Sequence, residues 1–103
     1  MAAIFGNNKR STALYDEMRD AINSNNHQKM KEIIRKKDYK INKVRGGDMR
    51  TALHTATMEE DKEALAILLG HPDIDTNVKT SDGLTPFLLA ASKGKMVSFE
   101  VFK

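Results

Sequence analysis

The sequence predicts an all-α solenoid of stacked antiparallel helix pairs, and three observations predict it. The chain repeats itself at an offset of 34 or 35 residues: Thr51-Ala-Leu-His54 returns as Thr85-Pro-Phe-Leu88, and Ala56 falls on Ala90. Leu65 and Leu68 fall on Phe99 and Phe102, while Ala21, Met30 and Ile33-Ile34 precede Ala56, Leu65 and Leu68-Leu69 by 35. Each unit also carries two apolar stripes at helical spacing, split by a polar break. Finally, each predicted helix is roughly 8 to 11 residues, below the ~12 to 15 at which an isolated helix is even marginal in water. Such helices must borrow stability from one another, which a stack of pairs provides.

The elements follow in order. Leu14, Met18, Ala21 and Ile22, spaced i, i+4, i+7 and i+8, form one helical face, with Ser11 or Thr12 as its expected N-cap before Ala13. A polar break at 23–26 leads to a short return helix marked by Met30, Ile33 and Ile34. The second unit repeats this with Leu53 and Ala56, then Leu65, Leu68 and Leu69. The third has Phe87, Ala90 and Ala91, then Phe99 and Phe102. Between units lie turn-rich stretches at 38–50 and 71–83, holding Gly46-Gly47, Pro72 and Ser81-Asp82-Gly83. Pro86 suits a first helical turn, whose N–H would have no partner anyway, and Gly94 suits the left-handed residue that ends a helix. Residues 1–12 read as a flexible N-terminal segment and 13–103 as one repeat domain, with units at about 13–47, 48–81 and 82–103, the last incomplete.

At 103 residues, with 40% hydrophobic and 30% charged side chains, the composition is that of a small globular domain. The longest apolar run, 64–69, is far short of the ~20 residues that span a bilayer, so no membrane span is expected. There is no cysteine, which excludes disulfides, thiolate nucleophiles and thiolate metal sites. That absence, with the lack of an N-glycosylation acceptor or a secretory leader, fits a cytoplasmic or nuclear protein. The net charge of +3 is unevenly spread: residues 27–50 hold nine Lys/Arg against three acids, while the remainder is net acidic.

No cluster of chemistry-bearing residues points to catalysis. His27, His54 and His71 fall in different units, and His54 reads as a hydrogen-bonding partner of Thr51 at a helix start. Asp73, Asp75 and Asn77 have the opening spacing of a calcium loop, but Val78 and Leu84 stand where that loop needs Gly and Glu, so the acids read as turn caps. Gly6 to Thr12 lacks the spacing of a phosphate loop. No cofactor or metal is expected, and an enzymatic reading would need a catalytic part beyond Lys103.

The segment Gly83-Leu-Thr-Pro-Phe-Leu-Leu-Ala-Ala-Ser-Lys-Gly94 is similar to the ankyrin repeat's Gly-x-Thr-Pro-Leu-His-x-Ala-Ala-x-x-Gly, and Thr51-Ala-Leu-His-Thr-Ala56 matches the same part. Leu68-Leu69 followed by His71-Pro-Asp-Ile-Asp-Thr-Asn77 resembles the family's repeat ending. The first unit departs from the pattern, with Asp16-Glu17-Met18-Arg19 in place of Thr-Pro-Leu-His. Met49 and Glu60 stand at two Gly positions, and Leu88 replaces the motif His.

The resemblance implies helix pairs joined by β-hairpin-like loops and a non-enzymatic protein–protein interaction module, the N-terminal part of a larger scaffold or regulatory protein. It assigns partner contacts to loop tips and first-helix ends: Asn23, Ser24, Asp48, Arg50, Met58, Glu59, Ser81, Asp82, Leu84, Ser92 and Lys93. Phe99 and Phe102, with no unit after them, are expected to support self-association. The alternative is that the basic first repeat, residues 29–45, binds an anionic partner: an acidic protein, lipid head groups or nucleic acid. Nucleic acid is the weakest of these, because Tyr39 is the sole aromatic among the basic residues.

Overall fold

The computed structural model describes residues 2–44 and 46–103, with side chains from Ala13 onward. Residues 1–12 are expected to be a flexible segment; the backbone of 2–12 is helical, and the side chains of 1–12 lie outside the described residues. The helices are α1 (Ala2–Asn23), α2 (His27–Ile34), α3 (Ala52–Glu59), α4 (Lys62–Leu69), α5 (Pro86–Ser92) and α6 (Met96–Phe102). Ser11 and Thr12 thus sit within α1, so the cap expected before Ala13 is not a helix start.

Each turn between paired helices is made by a residue in the left-handed region: Asn25 (φ 56°), Glu60 (φ 54°) and Gly94 (φ 66°). That conformation stops the first helix and reverses the chain, and the next helix is capped at once. Asn26 Oδ1 accepts from the Lys29 amide at 3.1 Å, and Asp61 Oδ1 from the Ala64 amide at 3.1 Å. Lys95, ahead of α6, has no capping oxygen. There the Val97 amide donates instead to Glu60 Oε1 of the preceding repeat, at 3.0 Å.

The pairs stack in two rows. Helix α3 packs between α1 and α5, and α4 packs between α2 and α6, while each first helix also packs on its own return helix. The core runs along the seam: Leu14, Met18, Ala21 and Ile22, then Met30 and Ile33, then Leu53, Ala56, Leu65 and Leu68, all at most 4% exposed. Ala21, Ala56 and Ala90 are 3%, 0% and 0% exposed, the equivalence that the repeat offset predicts. Small side chains there let successive helices approach closely.

The third repeat differs from expectation. Its buried face is Pro86, Leu89 and Ala90, whereas Phe87 is 38% exposed and Ala91 faces solvent. Helix α5 packs against α3 and α6, so its covered arc is set by those two neighbours. Phe87 lies along α6 instead, stacked on Phe99 at 5.0 Å and edge-on to Phe102 at 6.5 Å. The buried residue of α6 is Ser98, whose hydroxyl donates to the Thr57 carbonyl at 2.6 Å.

Among the described residues the loops are mostly turns, with a bridge residue at Arg50 and no extended strand. Thr80 N–H donates to the Leu84 carbonyl and Gly83 N–H to the Thr80 carbonyl, both at 2.9 Å, which closes one tight turn. Ser81 N–H donates to the Asp48 carbonyl at 2.9 Å and ties adjacent loop tips together.

Candidate protein-binding groove

On α1, Tyr15, Arg19 and Asn23 follow one another at i, i+4 and i+8, with Asp16 beside Tyr15, and so share a face. On α3, Thr55, Met58 and Glu59 do the same at i, i+3 and i+4. The loop between, with Gly46, Asp48 and Arg50, closes one end. Together they line an open groove of about 570 Å³.

Its walls are fixed by bonds between repeats. Tyr15 is buried, and its hydroxyl donates to the Arg50 carbonyl at 2.7 Å. Arg50 Nε lies 3.3 Å from Asp48 Oδ2, and Arg19 Nη1 lies 3.4 Å from Asp16 Oδ1. These are partly exposed pairs, each worth at most about 1 kcal/mol, so they orient the guanidinium groups more than they stabilise the fold. The groove offers two planar guanidinium forks, three carboxylates and one thioether. That set recognises peptide carbonyls, carboxylates and amides by hydrogen bonding; it contains no histidine or activated nucleophile.

His54 holds the far side of α3. Its Nδ1 accepts from the Thr51 amide at 3.1 Å, and the His54 amide donates back to Thr51 Oγ1 at 3.4 Å, a reciprocal cap. Nε2 lies 3.0 Å from the Leu84 carbonyl, which can only accept, so the ring is neutral with its proton on Nε2. Burial drives the His54 pKa below its ordinary 6.5; the hydrogen bond to Leu84 opposes this, and the Arg50 charge adds to it.

Of the sequence candidates, Asn23, Asp48, Arg50, Met58 and Glu59 line this groove. The other six lie elsewhere. Ser24 is exposed, with its hydroxyl donating to the Asp20 carbonyl at 2.8 Å. Ser81 and Asp82 are exposed at the next loop tip, and Ser92 and Lys93 at the end of α5. Leu84 is half-buried, and its backbone bonds His54, Thr80 N–H and Thr80 Oγ1.

Sequence reasoning missed Tyr15, Arg19 and Thr55. Their helical spacing with Asn23 and Met58 was the available signal. His27, in a different unit from the other two histidines, has carboxylate partners from the second repeat: its Nε2 lies 2.6 Å from Asp61 Oδ2, and its Nδ1 contacts Glu63. Burial works to raise the Asp61 pKa, but the His27 bond, the Ala64 amide and the His27 charge outweigh it and hold the carboxyl low. Among the described residues no cluster fits a metal ion, and no helix is long and apolar enough to cross a membrane.

Two rows of helices, joined by turns and open along one side, define a helical-repeat binding scaffold. The family model for ankyrin repeats (3 copies) matches residues 18–102, and the chain belongs to the ankyrin repeat family. Ankyrin repeats are general protein–protein interaction modules. Neither the curated proteins nor the solved structures yield a match.

Proposed function

We propose that this chain is a non-catalytic binding module that takes a segment of a partner protein into the groove between α1, α3 and the 46–50 loop. The observation that carries the reading is the convergence of Asn23, Asp48, Arg50, Met58 and Glu59 from three separate segments on one groove. The exposed tips Ser81 and Asp82 and the α5 end at Ser92 and Lys93 extend the same first-helix side toward the third repeat. A surface already ordered on folding binds without the ordering cost that flexible loops incur. The module serves a scaffold or regulatory role in the cytoplasm or nucleus. Self-association through the partly exposed ring cluster of Phe87, Phe99 and Phe102 belongs to the same proposal.

The test is affinity capture followed by a binding measurement with the captured partner. Arg50→Glu and Met58→Ala are each expected to weaken binding about tenfold or more, as central interface truncations do. Equal binding by both variants, with their folds intact, would remove the groove from the interface.

A further inference from the structure

On the opposite side of the first repeat, the end of α2 and the loop after it meet the α4–α5 loop around a second groove, of about 500 Å³. Five cations line it, Arg35, Lys36, Lys37, Lys40 and Lys43, against a single carboxylate, Asp73. Among the described residues none of these five cations pairs with a carboxylate. Tyr39 forms part of the wall. It is 8% exposed, and its hydroxyl is buried with no hydrogen-bond partner. A buried hydroxyl left unpaired costs free energy, and because it has almost no accessible surface a ligand in the groove meets it only when the wall shifts on binding. Burial pushes the Tyr39 pKa up, so the phenol stays a donor.

The groove is held open from below. Asn42 Nδ2 donates to the Asp73 carbonyl, and Asn42 Oδ1 accepts from the Asp75 amide, both at 2.8 Å. These bonds fix the two walls relative to each other before any ligand arrives.

We propose that this groove binds a compact phosphate polyanion, held by Arg35, Lys36, Lys37, Lys40 and Lys43, with the Tyr39 hydroxyl donating to one phosphate oxygen. Four of the five cations are lysines, compact point charges suited to clustered phosphate oxygens. The volume is that of a small-ligand site. An acidic peptide fits less well, because the aliphatic part of the lining is only Ile34 and Ile41 and most of the rest is cationic or polar. The site is separate from the protein-binding groove, so either can fail without the other.

The test is calorimetric titration of the full chain with inositol hexakisphosphate. A parallel arm measures sedimentation with phosphatidylcholine vesicles carrying phosphatidylinositol bisphosphate. A third arm titrates a poly-glutamate peptide of matched charge. Binding of either phosphate probe is expected, at one site, falling about tenfold or more as NaCl rises from about 50 to about 300 mM. Whether the free or the membrane-borne probe binds tells a soluble ligand from a lipid headgroup. Lys36→Glu with Lys40→Glu should abolish measurable binding, and Tyr39→Phe should weaken it about tenfold. Circular dichroism keeps folding separate, since none of these residues makes a side-chain bond that the fold needs. The proposal is overturned if neither probe binds, if the peptide binds equally well, or if the charge reversal or Tyr39→Phe leaves affinity unchanged.

Discussion

The Tyr15 hydroxyl donates to the Arg50 carbonyl at 2.7 Å, across 35 residues of sequence, and so joins the first helix of one repeat to the loop tip of the next. One repeat later His54 Nε2 does the same to the Leu84 carbonyl at 3.0 Å, and Leu84 lies 34 residues after Arg50. Equivalent carbonyls are therefore met by different side chains. The inter-repeat register is conserved as a bond, not as a residue type.

Tyr15→Phe should lower stability by about 1 to 2 kcal/mol, since it removes the donor and leaves a part-buried carbonyl unpaired. Arg50→Ala keeps that carbonyl and should cost less. Urea unfolding of both variants checks the order: a larger loss for Arg50→Ala would place the register elsewhere.

His54 gives stability a pH dependence. Its pKa in the folded chain lies below the 6.5 it has when unfolded, so at acid pH the unfolded state binds the extra proton. The contribution is thus full above about pH 6.5 and is lost as pH falls below it, toward the folded pKa. His54→Gln can still accept from the Thr51 amide but cannot take a proton. The midpoint of urea unfolding should fall less between pH 7.5 and pH 5.5 in His54→Gln than in the parent. An equal fall in both would assign the acid sensitivity to other groups.

The left-handed positions separate two glycine substitutions that look alike in sequence. Met49 has φ 54° and is 46% exposed; Gly83, at the equivalent place in the next repeat, has φ 81°. Met49→Gly should relieve strain of about 1 kcal/mol and raise the melting temperature. Glu60 has the same φ of 54°, but its carboxylate caps α6 through the Val97 amide. Glu60→Gly gains on the backbone and loses the cap, so its melting temperature should rise less than that of Met49→Gly. Thermal scans of both variants decide it, and an equal or larger rise for Glu60→Gly would mean that the Val97 bond contributes nothing.

These positions show what the sequence made legible. The alanine register was readable because a repeat offset aligns each alanine with its counterparts, while the Thr51–His54 cap and the left-handed turns at Glu60 and Gly94 follow from the resemblance to the ankyrin motif. The rotation of α5 was not: Phe87, Ala90, Ala91 and Pro86, Leu89, Ala90 have the same spacing, shifted by one residue, or about 100° around the helix. Periodicity gives the width of an apolar face, and the neighbours α3 and α6 select which face is covered. Five groove residues were in reach because the repeat pattern marks helix ends and loop tips. Tyr15, Arg19 and Thr55 were marked only by their helical spacing with Asn23 and Met58, which does not tell a side chain over a groove from one in open solvent. The Asn42 bridge is also invisible locally, because its partners arrive only when the second loop packs beside the first.

That bridge supplies a last prediction. Asn42 uses both ends of its amide: Nδ2 donates to the Asp73 carbonyl and Oδ1 accepts from the Asp75 amide. Asn42→Ala loses two bonds at a partly exposed site, for about 1 to 2 kcal/mol. Asn42→Asp keeps an acceptor for Asp75 N–H but turns a second oxygen toward the Asp73 carbonyl, with the Asp73 and Asp75 carboxylates nearby in sequence. Although nearly isosteric, it should destabilise at least as much as Asn42→Ala at neutral pH, and raised salt should recover part of the difference by screening the charge. Chemical unfolding at low and high ionic strength measures this. An aspartate variant as stable as the parent would show that the amide donor, and so the tie to Asp73, does not hold the loops together.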